Sequence, residues 1–269
     1  MMSQTLLASD GSRFRIIEAG RGAPLLLLHG VGMCAEAWAP QIAALSATHR
    51  VIAVDMAGHG GSDVLPGEPD LPDYVAWAAR VIEALGVEPM AVAGHSMGAL
   101  IALGLVIERP ELIERVCLLN PVYRRDAAAR AAVLGRAQDL SLGCGDPEAP
   151  LARWFAPGEA IEARARVAGW LRAVNPEGYA KTYAAFARGD AVYADRLGCI
   201  HRPMLVLTSE FDHNSNPGMT RAIAAAVPGA RAVIIADERH MVPLTAPEAV
   251  NRELALWLAE SLAPEEKTA

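Results

Sequence analysis

Strand-length apolar runs alternate with stretches of helical spacing along most of this chain. Residues 24–28, 50–55, 89–94 and 113–120 are the runs, and residues 35–45, 71–85 and 97–109 carry the helical spacing between or after them. That alternation predicts a mostly parallel sheet with helices on its faces, an α/β fold. Gly86 and Pro110 are expected to stop the second and third helices. Residues 3–7 and 13–18 flank Asp10-Gly11 and read as an opening hairpin. Over residues 121–202 the rhythm lapses into Ala- and Arg-rich helical patterning, broken by Gly143, Gly145, Pro147, Pro150 and Pro157. It resumes with strands over 203–209 and 230–236, a helix over 217–226 and an amphipathic helix from about Pro247, before a tail over 264–269 that reads as frayed. The expected organisation is a core of residues 1–120 and 203–269 with a helical insertion at 121–202.

Composition narrows the function classes. A chain of 269 residues, 52% hydrophobic and 20% charged, suits one water-soluble domain. A net charge of -7 argues against broad binding to nucleic acid or anionic membrane, and favours a small-molecule partner. No apolar run approaches the roughly 18 residues that span a bilayer. The first fifteen residues lack a secretory apolar stretch and carry Asp10, Arg13 and Arg15, so a cytoplasmic location is expected. The cysteines, Cys34, Cys117, Cys144 and Cys199, are dispersed and read as reduced thiols. A homo-oligomer is left open.

Gly94-His95-Ser96-Met97-Gly98 fits G-x-S-x-G and falls between an apolar run and a helical one. A sharp strand-to-helix turn strains the serine backbone, so the positions two before and two after it must lack side chains. A serine hydroxyl becomes nucleophilic only beside a base that a third group orients. Asp212 follows the strand over 203–209 and His240 follows the strand over 230–236, so both fall where open α/β sheets place their sites. Ser96, Asp212 and His240 are therefore the candidate triad. His29 and His59 sit in glycine-rich turns and are expected to serve those turns. No histidine pair has H-x-x-x-H spacing, and no metal or cofactor is expected. The glycine segment after the strand over 24–28 supplies close backbone, and the amides of Val31 and Met97 are the candidate oxyanion donors.

That segment also admits a rival. Gly30-Val31-Gly32-Met33-Cys34-Ala35 satisfies G-x-G-x-x-G/A, and Asp55 ends a later strand at a distance suited to a ribose, which together would describe a dinucleotide-binding domain. The preceding hairpin and the Ser96, Asp212 and His240 set stand against it.

With these pieces assembled, the chain resembles the α/β-hydrolase superfamily over nearly its whole length. The resemblance rests on His29-Gly30, Asp55-Met56-Ala57-Gly58-His59-Gly60-Gly61-Ser62, the serine turn, Asp212 and His240. It implies an eight-stranded, mostly parallel sheet with residues 121–202 as a cap, and it is nearest the compact bacterial esterases, enol-lactonases and carbon–carbon hydrolases. Ser96 excludes the aspartate-nucleophile branches, and His95 in place of asparagine leans toward ester or lactone. Ser209 and Arg239 replace glycines common in the superfamily, and Glu210, Asp237 and Glu238 lie near enough in sequence to compete with Asp212. The implied activity is hydrolysis of a small carboxylic ester or enol-lactone through an acyl-enzyme. Carbon–carbon cleavage is the alternative, and a non-catalytic receptor on the same fold is the reading from another class.

The insertion would select substrate. Trp154, Phe155, Trp170, Tyr179, Tyr183 and Phe186 have the size to wall an apolar pocket, although such spacing also suits core; about two of the six are expected at substrate. Trp154, Trp170 and Tyr183 are the candidates taken from them. Arg124 and Arg125 follow a strand's carboxyl end, and Arg124 is the candidate grip on a substrate carboxylate. The same pair also reads as the solvated start of a helix.

Overall fold

A strand covered on both faces needs apolar residues at every position, because successive side chains point to opposite sides. Leu25 and Leu27 of β3 (Ala23–Leu28) enter one hydrophobic core, and Leu26 and Leu28 enter the other. β4 (His49–Val54), β5 (Met90–His95), β6 (Ile113–Leu119) and β7 (Met204–Ser209) divide their residues in the same way. These assignments come from a computed structural model that describes residues 2–8, 10–143 and 146–261; Cys144, Gly145 and the tail over 264–269 lie outside the described residues.

With β1 (Met2–Leu7), β2 (Arg13–Ala19) and β8 (Arg231–Ile235), the strands form one eight-stranded sheet in the order β1-β2-β4-β3-β5-β6-β7-β8. β2 pairs antiparallel with β1 and β4, and every other pairing is parallel. On one face, α2 (Leu71–Leu85), α3 (Met97–Glu108) and α8 (Pro217–Ala226) cover the sheet; on the other lie α1 (Ala39–Leu45) and α9 (Pro247–Ala259). Residues 35–45 are not one helix. A 3-10 turn over Ala35–Trp38 precedes α1, and Pro40 sits in α1's first turn, where its missing N–H costs nothing. All of α3 from Met97 to Ile107 is buried, as expected of a helix that is apolar all round. Asp70 and Asp73 form a reciprocal capping box at the start of α2, and Gly86 ends it at φ 61°.

Between β6 and β7 lie α4 (Ala127–Ser141), α5 (Glu148–Trp154), α6 (Ile161–Ala173) and α7 (Pro176–Gly189), with no strand among the described residues there. Pro150 does not break a helix: it falls in α5's first turn, where no intrahelical donor is required. α7 packs on α4, α2 and α3, and the hydroxyls of Tyr74 and Thr182 meet at 2.8 Å, tying this segment to the sheet's covering helices. No helix among the described residues is long and apolar enough to cross a membrane.

Candidate active site

The turn from β5 into α3 holds Ser96 at φ 56°, ψ -112°, a conformation disfavoured for a residue with a side chain. Close packing enforces it. A Cβ on Gly94 would lie 2.0 Å from the Gly98 oxygen, and one on Gly98 would lie 2.1 Å from the Leu28 oxygen. The Ser96 amide donates to the Leu119 oxygen at 2.9 Å, pinning the turn to the end of β6.

Two loops bring the partners. Asp212, past the end of β7, places Oδ2 2.6 Å from Nδ1 of His240, which follows β8. Its Oδ1 accepts the backbone amides of Asn214 and Ser215 at 2.8 and 3.1 Å, and Nδ2 of Asn120 donates to Oδ2 at 2.8 Å. Burial alone would raise the Asp212 carboxyl, but the adjacent His240 and the bonds from His240, Asn120 and Asn214 overcome it and hold the pKa at about 2. Two of the three competing carboxylates are engaged elsewhere: Glu238 accepts from the Thr245 hydroxyl, and Glu210 from the Asp237 backbone amide. Ser96 and His240 line the same cavity, with no hydrogen bond joining their side chains among the described residues. Such contacts commonly tighten only when substrate binds.

Three buried histidines brace this end of the sheet. Nε2 of His95 lies 2.9 Å from the His240 oxygen, so it carries the proton and donates; burial, with His240 beside it, lowers its pKa to about 3. His29 accepts the Met56 amide and lies 2.7 Å from the Gly30 oxygen, and His59 accepts the Gly32 amide at 3.0 Å. Burial lowers both, His59 to about 3. The rings hold the two turns that frame the Val31 amide. Neither the Val31 amide nor the Met97 amide has an acceptor among the described residues, and Met97 opens α3, whose dipole favours negative charge there.

Asp55 is not placed for a ribose. It is fully buried, with Oδ1 accepting the Ala35 amide and Oδ2 accepting the Gly61 amide and the Arg15 guanidinium. Those bonds leave the dinucleotide reading without its recognition group.

A cavity of about 340 Å³ opens over Ser96 and His240. Trp154 stacks on the His240 ring at 5.6 Å between centroids, and Tyr179, Tyr183 and Phe186 form a wall. Four of the six aromatic candidates thus line it. Trp170 does not. It faces a separate cavity beside Arg15, Cys34 and Glu36, because α6 runs on the far side of Met33. Burial pushes the Cys34 thiol pKa well up, in keeping with an inert side chain.

Arg124 is also outside the cavity. Its backbone turns to φ 44° while its amide bonds the Asp190 oxygen, and this sends its side chain outward to pair with Asp195 over the Tyr123 ring. Arg125 points in. Arg125, Arg136 and Arg153 all line the cavity, and sequence reasoning missed the last two. A signal was present in α4, where Ala129, Val133 and Arg136 recur at three- and four-residue spacing on one face. Asn120, held at φ 48° at the end of β6, was missed as well; its position at a strand's carboxyl end was the available clue.

Sheet order, the strained serine turn and the loops after β7 and β8 together define an α/β hydrolase, and the chain belongs to the alpha/beta hydrolase family, which it matches over residues 25–253. Among individual relatives, it is 48% identical over 259 residues to an (E)-2-((N-methylformamido)methylene)succinate hydrolase of Acinetobacter baylyi, covering 96% of this chain and 98% of that one. The solved enol-lactonase of Burkholderia xenovorans LB400 superposes with a TM-score of 0.87 at 25% identity, covering 96% of this chain and all of that one. A hydrolase from Pseudomonas aeruginosa PA01 gives a TM-score of 0.85 at 26% identity, covering 96% and 98%.

Proposed function

We propose that the chain is a serine hydrolase that cleaves an acyl bond in a small molecule, with Ser96 as nucleophile, His240 as general base and Asp212 as its orienter. The observation that carries this reading is the 2.6 Å Asp212–His240 contact above a strained serine flanked by two amides without acceptors. His240 takes the Ser96 proton as Oγ adds to the carbonyl carbon, and the Val31 and Met97 amides receive the oxyanion. Collapse breaks the acyl bond, and His240 returns the proton to the leaving atom. Water then repeats the sequence on the acyl-enzyme and restores Ser96.

For the bond itself we assign an N-formyl group on an unsaturated carboxylic acid. The substrate that names the Acinetobacter relative carries such a group, and that relative shares nearly half its residues with this chain. One water converts the N-formyl enamine into formate and the free enamine. Nitrogen is a poor leaving atom unless protonated, which suits a buried imidazole poised to donate. An ester or enol-lactone is the second reading, favoured by the likeness to the enol-lactonase.

Purified protein should be assayed against an N-formyl enamine of methylenesuccinate, an enol-lactone and a ring-fission dienoate, with formate measured directly. Formate release from the first is expected, together with labelling of Ser96 by a fluorophosphonate. Faster turnover of the lactone would shift the assignment to C–O cleavage, and turnover of the dienoate alone would shift it to carbon–carbon cleavage. No turnover and no labelling would make the chain a receptor.

A further inference from the structure

We infer that Arg125, Arg136 and Arg153 form a two-part anion site that admits dicarboxylates, with Arg125 as the deep contact and Arg136 and Arg153 as the contacts nearer solvent. The inference deepens the proposed function by naming the substrate's charge, and it rests on that reading for the location of the reacting bond.

The charges around the cavity do not balance. Arg125 is buried, and its Nη1 lies 3.2 Å from Asp190 and donates to the Phe186 oxygen at 3.3 Å, while its Nη2 has no hydrogen-bond partner. Asp190 cannot neutralise it alone, because the same carboxylate also pairs with Arg130 at 3.1 Å and accepts the Arg125 amide. Arg136 has neutral partners, the Tyr179 hydroxyl at 3.3 Å and the Asp146 backbone oxygen at 3.4 Å. The Arg153 contact is the Asn214 side-chain oxygen at 3.5 Å. Asp126 is the sole carboxylate on the wall among the described residues, and its Oδ1 caps α4 through the Ala129 amide.

A guanidinium keeps its proton under all ordinary conditions, so burial without a full counter-charge is relieved only by an anion. Three guanidiniums converge on one cavity, Arg125 buried, Arg136 half-buried and Arg153 exposed, in a chain whose net charge is -7. Arg153 lines the same cavity as Trp154, whose ring stacks on His240, so a carboxylate on Arg153 would share that cavity with the reacting centre. Arg125 packs against the Phe186 ring at 4.4 Å, a contact that helps hold it for a second carboxylate deeper in.

The test uses Ser96→Ala protein, so that binding is read without turnover, and titrates it calorimetrically with itaconate, its monomethyl ester and its dimethyl ester. Itaconate should bind about tenfold or more tightly than the dimethyl ester, with the monoester between them and the preference shrinking as salt is raised. Arg136→Gln and Arg153→Gln should each weaken itaconate by up to about fivefold and leave the dimethyl ester alone. Arg125→Met should remove most of the preference. Should that variant fail to fold with Asp190 left unpaired, Arg125→Lys and the two exposed-side variants carry the test. Equal binding of the diacid and the dimethyl ester, or a preference that survives all the arginine substitutions, overturns the inference. A dianion preference with no acyl turnover by the unsubstituted protein would leave the anion site standing and remove the proposed function instead.

Discussion

The central strands and the helices between β6 and β7 treat burial in opposite ways. Leu25 to Leu28 are buried without exception, whereas α4, fifteen residues long, buries only Leu140. Yet α4 turns Ala129, Val133 and Arg136 toward the cavity over Ser96. Its open face is a wall for a ligand rather than a surface left to solvent. A strand packed on both sides announces itself through unbroken apolar sequence; a wall that must meet an anion keeps charge and small side chains, and imitates a solvated helix. The two regions should therefore respond differently to substitution. Changes at the sheet's end should stop the reaction for every substrate, and changes in α4 to α7 should alter which substrate is accepted.

The largest expected effect tests the first half of that contrast. Ser96→Ala should lower kcat on the order of a million-fold for charged and neutral substrates alike, while the fold survives. Single-turnover assays with the two substrate types will check this, and a residue above roughly a thousandth of the original rate would place the nucleophile elsewhere. Asp212→Asn comes next, with a kcat loss of up to about ten-thousand-fold through the wrong imidazole tautomer. A loss below about tenfold would mean that the 2.6 Å contact with His240 is not what orients the ring.

Much of the sheet's end is legible in the sequence alone. The succession of strands along the chain, the serine turn and the loops holding Asp212 and His240 follow from apolar runs and from residues that must sit at strand ends. The dinucleotide fingerprint was legible too and misleading, since nothing in the local pattern reveals that Arg15, forty residues before Asp55, occupies its carboxylate. The arginine arc was illegible for a related reason. Arg125, Arg136 and Arg153 belong to three different local environments, and only tertiary packing brings them to one cavity. Trp170 failed in the opposite sense, having the right size on a helix whose relevant face turns away.

The two regions also differ in their response to acid. His29, His59 and His95 are buried at the sheet's end, none lies in α4 to α7, and burial lowers the pKa of each. In the unfolded chain a histidine takes up a proton near its ordinary pKa of about 6.5, whereas folded His95 refuses it until about 3. Through His95 the folded state therefore loses stability as pH falls from about 6.5 toward 3, by about 1.4 kcal/mol per pH unit. Replacing His95 by Gln should flatten the slope of urea unfolding free energy against pH around pH 5 by about that amount. An unchanged slope would show that His95 is already charged in the folded protein.

The smallest expected effect falls on a single step along the backbone. Arg124 and Arg125 are chemically identical neighbours, and sequence offers no means to choose between them. The left-handed turn at Arg124 separates them: one side chain leaves for Asp195 in solvent, and the next enters the cavity under Phe186. An exposed ion pair of the Arg124 kind contributes little, about 0–1 kcal/mol, because water screens it and two side chains lose freedom to form it. Arg124→Ala should therefore leave KM for a carboxylate-bearing substrate within about twofold, and the ratio of KM between that substrate and its neutral ester unchanged. Parallel steady-state measurements on Arg124→Ala and Arg125→Lys will show whether discrimination moves with the second residue alone. A selective rise in KM for the charged substrate in Arg124→Ala would mean that Arg124 reaches the substrate after all, and that the outward turn at φ 44° is not the arrangement present during turnover.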